Sequence, residues 1–187
     1  MSGINSKNIE NIAGILSNFN EVLIIDDFSE DGIENFCSKS NYKYFKRRLN
    51  GDFSSQRNFA LTKAKNDWVL FLDSDESVGK AFIQNLDKVI KEGGFDGFYI
   101  PRRVNFLGHP MKGTEMGNDC ILRLARKDRG RWFRKVHEHW VIDGKIGELG
   151  YPIIHNTAEN LKTFIDKINS YHEIHAEENL AVGKKPS

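Results

Sequence analysis

The chain has 187 residues, of which 39% are hydrophobic and 28% are charged. This composition is typical of a globular domain with its own core and excludes a disordered chain. Lysine and arginine number 27 against 26 acidic residues, and the net charge is +1. That balance argues against a protein that binds nucleic acid through overall positive charge.

No apolar run approaches the roughly 20 residues that a membrane-spanning helix needs, and residues 1–5 lack the pattern of a signal peptide. The two cysteines, Cys37 and Cys120, are too few for a disulfide framework or a four-cysteine zinc site. These features favour a reducing, cytoplasmic location. We interpret residues 1–187 as a single domain.

The first half of the chain alternates between helical and strand patterns. Apolar residues at helical spacing predict helices over 7–16, 32–38, 53–64 and 77–90. Short apolar or alternating runs predict strands over 22–25, 42–45 and 68–72. Such alternation is typical of βαβ units and therefore predicts an α/β fold with a mostly parallel central sheet.

The second half is richer in strand patterns. It predicts strands over 97–105, 120–126, 132–142 and 151–155, followed by a long helix over 160–180. Asp143-Gly144 predicts a hairpin turn. No repeat or proline-rich linker separates the halves, so we interpret the shift near Gly94 as a change within one fold.

Two predicted strands end in acidic clusters. Asp26 and Asp27 follow the first strand, and Asp73 and Asp75 follow the strand over 68–72. Ligands of α/β sheets bind at the carboxyl ends of strands, and residues two apart on an extended chain point the same way. Such carboxylates suit Mg²⁺ or Mn²⁺ shared with substrate phosphates. The alternative is that they are turn and helix-cap residues.

A set of short motifs occurs in order along the chain. They are EVLIIDDFSEDG at 21–32, QRNFAL at 56–61, DWVLFLDSDE at 67–76, GFYIPRR at 97–103, DCILRL at 119–124, VHE at 136–138 and IH at 154–155. Each motif is weak alone, but the ordered set resembles glycosyltransferase family 2, and more narrowly its branch related to lipopolysaccharide core β-glucosyltransferases. The resemblance spans about residues 5–180.

This resemblance implies the GT-A fold, with a nucleotide-sugar-binding half over about 5–95 and an acceptor-binding half over about 96–180. It implies sugar transfer from a nucleotide-sugar, most simply a UDP-sugar, to a glycan or glycolipid acceptor in cell-envelope synthesis. The residues that it assigns to the donor are Asp26, Asp27, Ser29, Gln56, Arg57, Asn58 and Asp73, and those that it assigns to a divalent metal, Mg²⁺ or Mn²⁺, are Asp73 and Asp75. For Arg57, a charge on the helix surface is an equal alternative.

The reaction that the resemblance implies needs a base for the acceptor hydroxyl, and direct displacement would invert the anomeric centre. Asp119 is the best match to the family's base, although the usual Glu-Asp pair reads Asn118-Asp119 here. Glu138 is the second candidate and Glu115 the third. The alternative for Glu138 is a solvated strand residue.

The resemblance also implies that a late histidine joins the metal ligands. His155 fits that role best, and His137 competes with it. The alternative for both is a half-buried, hydrogen-bonded imidazole. The pairs His137-x-His139 and His172-x-x-His175 lack a third spaced ligand and do not form a zinc motif.

Residues 123–135 hold seven basic residues and one acid. We interpret the segment as a solvated hairpin. The alternative is attraction to a phosphorylated glycolipid acceptor or to an anionic membrane, which would place the protein at the inner face of the plasma membrane.

From the resemblance we expect the family's first strand to be absent or barely present in this sequence. Residues 5–10 match the turn that follows that strand, and only four residues precede them. The expected consequence is an unpaired sheet edge and weaker donor binding. Two hypotheses therefore compete: a metal-dependent glycosyltransferase, and a truncated or degenerate GT-A domain that binds a nucleotide sugar or glycan without turnover. A metal hydrolase that uses the histidines is disfavoured.

Overall fold

The computed structural model describes residues 6–111, 119–157 and 165. The helices in these ranges are α1 (Ser6–Leu16), α2 (Ile33–Lys39), α3 (Phe53–Lys63) and α4 (Lys80–Glu92). The strands are β1 (Leu23–Asp26), β2 (Lys43–Lys46), β3 (Trp68–Leu70), β4 (Glu76–Val78), β5 (Gly97–Phe106), β6 (His109–Pro110), β7 (Cys120–Arg126), β8 (Gly130–Phe133), β9 (His139–Ile142), β10 (Ile146–Glu148) and β11 (Ile153–Asn156). The helix predicted over 160–180 lies, apart from Ile165, outside the described residues.

The described strands form three sheets. β1 and β2 make a parallel pair, in which Leu23 lies opposite Lys43. A seven-stranded sheet has the order β3-β7-β5-β11-β4, and β6 and β10 also pair with β5. β8 and β9 make an antiparallel pair, in which Trp132 lies opposite Trp140. Strands from both halves of the sequence therefore share the large sheet.

The predicted α/β class is confirmed, but the large sheet is mixed rather than mostly parallel. β7 runs antiparallel to both of its neighbours, β3 and β5. β5 is parallel to β11 and to β10. In the described part of the chain the strands after α4 follow one another without helices, and such direct connections favour antiparallel neighbours.

Three local predictions are wrong. The helix predicted over 77–90 begins at Lys80, because the residues before it form β4 and pair with β11. Asp143-Gly144 does not join a hairpin, because β9 pairs with β8, whereas β10 pairs with β5. The strand predicted over 132–142 is likewise interrupted, at residues 134–138, where Arg134 and His137 adopt positive φ angles.

The main core lies between the large sheet and α4. Phe82 of α4 packs into a buried cluster with Ile100, Leu124 and Ile153, all of which are almost fully buried. The helix presents this face because its apolar residues recur at helical spacing. A second cluster surrounds Phe71, whose ring meets Trp132 and Trp140 edge-to-face at 5.2 and 5.1 Å between centroids. The two clusters fix β3 between them.

In the described residues, no helix has the length and apolarity to span a bilayer.

Replacing Phe82 with Ala should lower the free energy of unfolding by about 3–5 kcal/mol, because it leaves a cavity in the main core. Urea unfolding followed by circular dichroism measures the change. The matched control is Phe133→Ala, whose ring is exposed, and it should change stability by less than about 0.5 kcal/mol. Equal losses in the two variants would contradict this location of the core.

Candidate functional site

A cavity of about 1730 Å³ opens at the carboxyl end of β3. Its polar lining includes most of the residues that the sequence assigns to the site: Asp27, Gln56, Arg57, Asp73, Asp75, His137, Glu138 and His155. They meet there because β1 and β3 end at this edge, while β11 and the segment before β9 approach it from the second half of the chain. These side chains therefore lie around one cavity, and their roles stay predictions.

Asp73 lies between two arginines. Its Oδ1 accepts a hydrogen bond from Arg57 Nη2 at 2.8 Å, and its Oδ2 accepts one from Arg123 Nη2 at 2.8 Å. Burial alone would raise the pKa of Asp73, but the charges of Arg123 and Arg57 outweigh it and hold that pKa well below its usual range. Asp73 is therefore ionised, and both of its oxygens are engaged.

Arg57 also binds Glu138. Arg57 Nε and Nη2 donate to Glu138 Oε1 at 2.9 and 2.7 Å. The guanidinium lies over the ring of Trp132, 4.7 Å from its centroid. Burial would lower the pKa of Arg57, but Asp73 and Glu138 raise it above its usual value, so the guanidinium stays charged. α3 thus contributes a fixed cation to the cavity wall.

Glu76 is a buried carboxyl group directly beneath Asp73. Its Oε2 accepts a hydrogen bond from the backbone N–H of Asp73 at 3.0 Å, and its Oε1 lies 3.8 Å from Arg123 Nη2. Burial, followed by the charge of Asp73, raises the pKa of Glu76, and Arg123 only partly opposes the rise. This glutamate holds the turn that follows β3 in place.

Asp75 and His155 form the part of the site that best fits a divalent metal. Asp75 Oδ2 lies 3.5 Å from His155 Nε2, and the two residues meet because β11 pairs with β4 just after Asp75. In the described residues no group of three or more histidine, cysteine or acidic side chains forms a closed metal site. Carboxylate and imidazole ligands fit an ion whose other ligands come from a bound phosphate compound.

The first acidic cluster divides into a buried and an accessible aspartate. Asp26 is fully buried and accepts hydrogen bonds from Tyr44 Oη at 2.8 Å and from the backbone N–H of Ser29 at 3.1 Å. Asp27 lines the cavity and accepts from the backbone N–H of Leu49 at 2.9 Å. Asp26 and Ser29 therefore shape the loop after β1, and Asp27 faces the cavity.

The predicted donor residues Gln56, Arg57 and Asn58 lie in the first turns of α3, and their side chains differ in their surroundings. Gln56 lines the cavity and accepts from Arg47 Nη1 at 2.7 Å. Asn58 exchanges two hydrogen bonds with the backbone of Trp132, at 2.9 and 3.0 Å. Arg57 points to Asp73, whereas Asn58 ties α3 to β8.

Of the predicted bases, Asp119 and Glu138 lie in the described residues, whereas Glu115 and the neighbouring Asn118 lie outside them. The side chain of Asp119 is 48% exposed and accepts from Arg102 Nη2 at 3.1 Å. It precedes β7 at the edge where β3 ends. Glu138 is mostly buried against Arg57. His137 borders the cavity with an exposed side chain.

Arg123 and Glu76 belong to this charged cluster, and the site prediction omits both. Arg123 is only 7% exposed. The signal that could have found it is a single charge inside the apolar run of β7, because a buried arginine needs an acidic partner. Glu76 directly follows Asp73-Ser74-Asp75 in the sequence, and the prediction assigned that acidic motif to the metal without giving Glu76 a role of its own.

The family described as glycosyl transferase family 2 matches residues 7–139.

Curated relatives of the chain include two glycosyltransferases. The lipopolysaccharide core biosynthesis glycosyltransferase LpsC of Rhizobium meliloti (strain 1021) is 25% identical over 174 residues, which cover 89% of this chain and 64% of LpsC. The poly(ribitol-phosphate) β-N-acetylglucosaminyltransferase TarS of Staphylococcus aureus (strain Mu50 / ATCC 700699) is 33% identical over 96 residues, which cover 48% of this chain and 17% of TarS. The chain thus spans less than two thirds of these relatives.

Among solved structures, the S. aureus TarS 1–349 structure is similar, with a TM-score of 0.58 and 17% identity over 82% of this chain and 58% of that chain. TarS 1–349 solved in complex with UDP-GlcNAc gives a TM-score of 0.57 at 17% identity, over 82% of this chain and 56% of that chain. At this identity the likeness shows the fold alone. The predicted GT-A fold is confirmed.

The ion pair of Arg57 and Glu138 should be strongly coupled, because both side chains are mostly buried. A double-mutant cycle with Arg57→Gln and Glu138→Gln should give a coupling free energy of about 1–3 kcal/mol in urea unfolding. The control cycle uses Lys88 and Glu92, which are 3.7 Å apart and 71% and 63% exposed, and should give less than about 0.5 kcal/mol. Equal coupling in the two cycles would contradict a buried pair.

Glu76→Gln should change how stability depends on pH. The pKa of Glu76 in the folded protein lies above its ordinary value of 4.5, so the folded state binds this proton more strongly than the unfolded state. The contribution of Glu76 to the free energy of unfolding is therefore complete below pH 4.5 and is lost as the pH rises through the raised pKa. As the pH rises through that range, Glu76→Gln should therefore gain free energy of unfolding relative to the wild type. The exposed Glu92→Gln serves as control, and parallel profiles for wild type and Glu76→Gln would refute the expectation.

Proposed function

Because the chain belongs to glycosyl transferase family 2, we propose that it transfers a sugar from a nucleotide-sugar donor to a cell-envelope glycan or glycolipid, with inversion at the anomeric carbon. The observation that carries this proposal is the convergence of Arg57, Asp73, Asp75 and His155 on one cavity at the carboxyl end of β3. This edge is where α/β sheets bind phosphorylated ligands.

The donor class proposed is a UDP-sugar. TarS of S. aureus, whose fold this chain shares, is solved with UDP-GlcNAc, and the curated TarS relative is named a β-N-acetylglucosaminyltransferase. We extend the nucleotide class to this chain and leave the sugar open. Asp27 is the proposed contact for the nucleoside, because it faces the cavity whereas Asp26 is buried.

The departing nucleoside diphosphate gains negative charge as the sugar bond breaks. Arg57 offers a fixed cation at the cavity wall, and Arg123 supports it through their shared Asp73. When bound, Mg²⁺ or Mn²⁺ would add charge stabilisation at the diphosphate, held by Asp75 and His155, with Asp73 beside them. The preorganised guanidinium needs no reorganisation during the reaction, which is where its contribution lies.

Asp119 is the proposed base that takes the proton of the acceptor hydroxyl. It is half-exposed, and its charged contact within the described residues is with Arg102, so it can meet an incoming acceptor. Glu138 is the second candidate, but its contacts favour another role. It binds Arg57 through two hydrogen bonds, and we propose that it orients that guanidinium.

The acceptor side of the proposal rests on the exposed face of the β8–β9 pair. Arg131 lies opposite Val141, and Phe133 lies opposite His139, and all four side chains are exposed. Basic and apolar side chains on one face suit a glycolipid at an anionic membrane surface. This face adjoins residues 136–139, which border the cavity.

A second candidate function is nucleotide-sugar binding without turnover. The observation that favours it is that arginines engage both oxygens of Asp73 and the carboxylate of Glu138. A domain of this kind would bind the donor but leave the acceptor unchanged. The two candidates therefore differ in turnover and agree in binding.

UDP should bind in the presence of Mn²⁺, and chelation of the ion should weaken binding by about tenfold or more. Asp75→Ala should abolish the metal dependence, because it removes one of the two proposed ligands. Isothermal titration calorimetry measures both, with the exposed Asp143→Ala as the control that binds like the wild type. Binding that Mn²⁺ leaves unchanged in the folded wild type would refute the metal proposal.

Asp119→Asn should lower turnover about 100-fold or more while the affinity for UDP stays unchanged, because a base acts only on the acceptor. Glu138→Gln should raise the KM for the donor as well as lower turnover. Transfer from UDP-sugars to an envelope-glycan extract measures both. Wild-type protein that binds UDP but gives no transfer supports the second candidate function, and wild-type turnover by Asp119→Asn excludes Asp119 as the base.

A further inference from the structure

The β8–β9 pair has one buried face and one exposed face. Trp132 and Trp140 lie opposite each other on the buried face and are 3% and 4% exposed. Both rings meet Phe71 edge-to-face, which holds the pair against the large sheet. Successive side chains of a strand point to opposite faces, so the residues that alternate with these tryptophans point away from the core.

The outward face combines basic and apolar side chains, and none of its members is a carboxylate. It consists of Arg131, Phe133, His139 and Val141, all of which are exposed. The rings of Phe133 and His139 stack at 6.3 Å between centroids. Phe133 and Val141, diagonal neighbours on this face, are 47% and 49% exposed. A solvated sheet face ordinarily carries polar residues at such positions, so this apolar pair indicates a partner other than water.

Further positive charge borders the outward face. Arg129 precedes β8, Arg134 and Lys135 follow it, and all three are exposed. Within the described residues, neither Arg131 nor Arg134 forms an ion pair with a carboxylate. The charges of these two arginines are therefore available to an anionic partner.

The link between β8 and β9 is held in place from inside the molecule. The carbonyl of Lys135 accepts a hydrogen bond from the backbone N–H of Phe53 at 2.9 Å, and Arg57 binds Glu138 through two hydrogen bonds. Arg134 has a φ of 69°, a conformation that a non-glycine residue keeps only where its surroundings enforce it. The outward face is therefore formed in advance, and docking does not have to order it.

An anionic bilayer surface is the partner that this combination fits. Each basic side chain near such a surface strengthens binding about fivefold. Aromatic and aliphatic side chains beside the charges enter the headgroup region, where they leave water. A nucleic acid would engage the arginines through its phosphates but offers no comparable apolar layer for Val141. Because the net charge of the chain is only +1, the attraction is confined to this face.

We propose that the outward face of the β8–β9 pair docks the protein on an anionic bilayer, with Phe133 and Val141 in the headgroup region. His139 and Val141 also border the cavity, so docking would place the mouth of the cavity at the lipid surface. The inference rests on the proposed function for the purpose of docking, which is to meet a lipid-linked acceptor. Docking itself needs neither donor nor acceptor.

The test is co-sedimentation of the full chain with sucrose-loaded vesicles at low salt. One set of vesicles is pure phosphatidylcholine, and the other contains about 30% phosphatidylglycerol, which supplies the anionic charge. The chain should bind the second set about tenfold or more strongly than the first. About 0.5 M NaCl should remove most of that preference, because salt screens exposed charges.

Arg131→Gln/Arg134→Gln should weaken binding to the anionic vesicles about 20-fold or more, because the variant removes two charges from the docking surface. The matched control is Lys88→Gln/Lys91→Gln. It removes the same charge from α4, where each lysine lies beside an acidic residue, and it should leave binding within about twofold of the wild type.

Phe133→Ser should weaken binding about fivefold or more, because the headgroup region loses its aromatic contact. The matched control is Phe28→Ser, whose ring is 43% exposed on the loop after β1, and it should bind like the wild type. Circular dichroism of each variant reports folding, so an unfolded protein is not counted as one that has lost docking.

Three results would overturn the proposal. The first is equal binding to the two sets of vesicles, and the second is an equal loss in the arginine and lysine variants. The third is comparable binding to a short single-stranded RNA with the same dependence on Arg131 and Arg134, which would assign the face to nucleic acid. The vesicles carry no glycan and the assay contains no donor. A failure of docking therefore leaves the proposed transfer standing, and a failure of transfer leaves docking standing.

Discussion

Burying a guanidinium group costs several kcal/mol of hydration free energy, which only paired carboxylates offset. This molecule buries two guanidinium groups at one place. Arg57 and Arg123 share Asp73, one on each oxygen. The constraint determines much of the surrounding structure. α3 must bring Arg57 to the end of β3, β7 must bring Arg123 to the same place, and the turn after β3 must present Asp73 between them.

Two glutamates complete the charged cluster around these arginines. Glu138 binds the second side of Arg57, and Glu76 lies beneath Arg123 and holds the backbone of Asp73. A single substitution in such a network leaves an opposite charge buried without its partner, which is why its members act as a unit. The same arrangement supplies what a diphosphate would need, a cation held in position before the ligand arrives.

The sequence predicts the elements of the first half well because each strand and helix has its own period and its own ends. The acidic strand end at Asp73 and Asp75 was predictable for the same reason, since it follows a short apolar run at the edge where ligands bind. The mixed sheet was not predictable, because strand direction depends on which strands β7 pairs with, and local sequence patterns do not specify those partners. Arg123 was missed because its partner Asp73 lies far away in the sequence, and Glu76 was missed because it directly follows the more obvious acidic residues Asp73 and Asp75. The proposed roles of Asp119, Asp75 and His155 stay predictions.

Aromatic side chains surround the charged cluster, and this has a practical consequence. The chain has three tryptophans, and all of them, Trp68, Trp132 and Trp140, line the cavity. Trp132 lies within cation–π distance of both arginines and stacks on Trp140 at 5.3 Å. Indole emission shifts with nearby charge and solvent, so the tryptophan fluorescence of this protein originates from the walls of one cavity. When tryptophan is excited selectively over tyrosine, its emission is therefore an optical readout of a ligand that enters the cavity, and it needs no label.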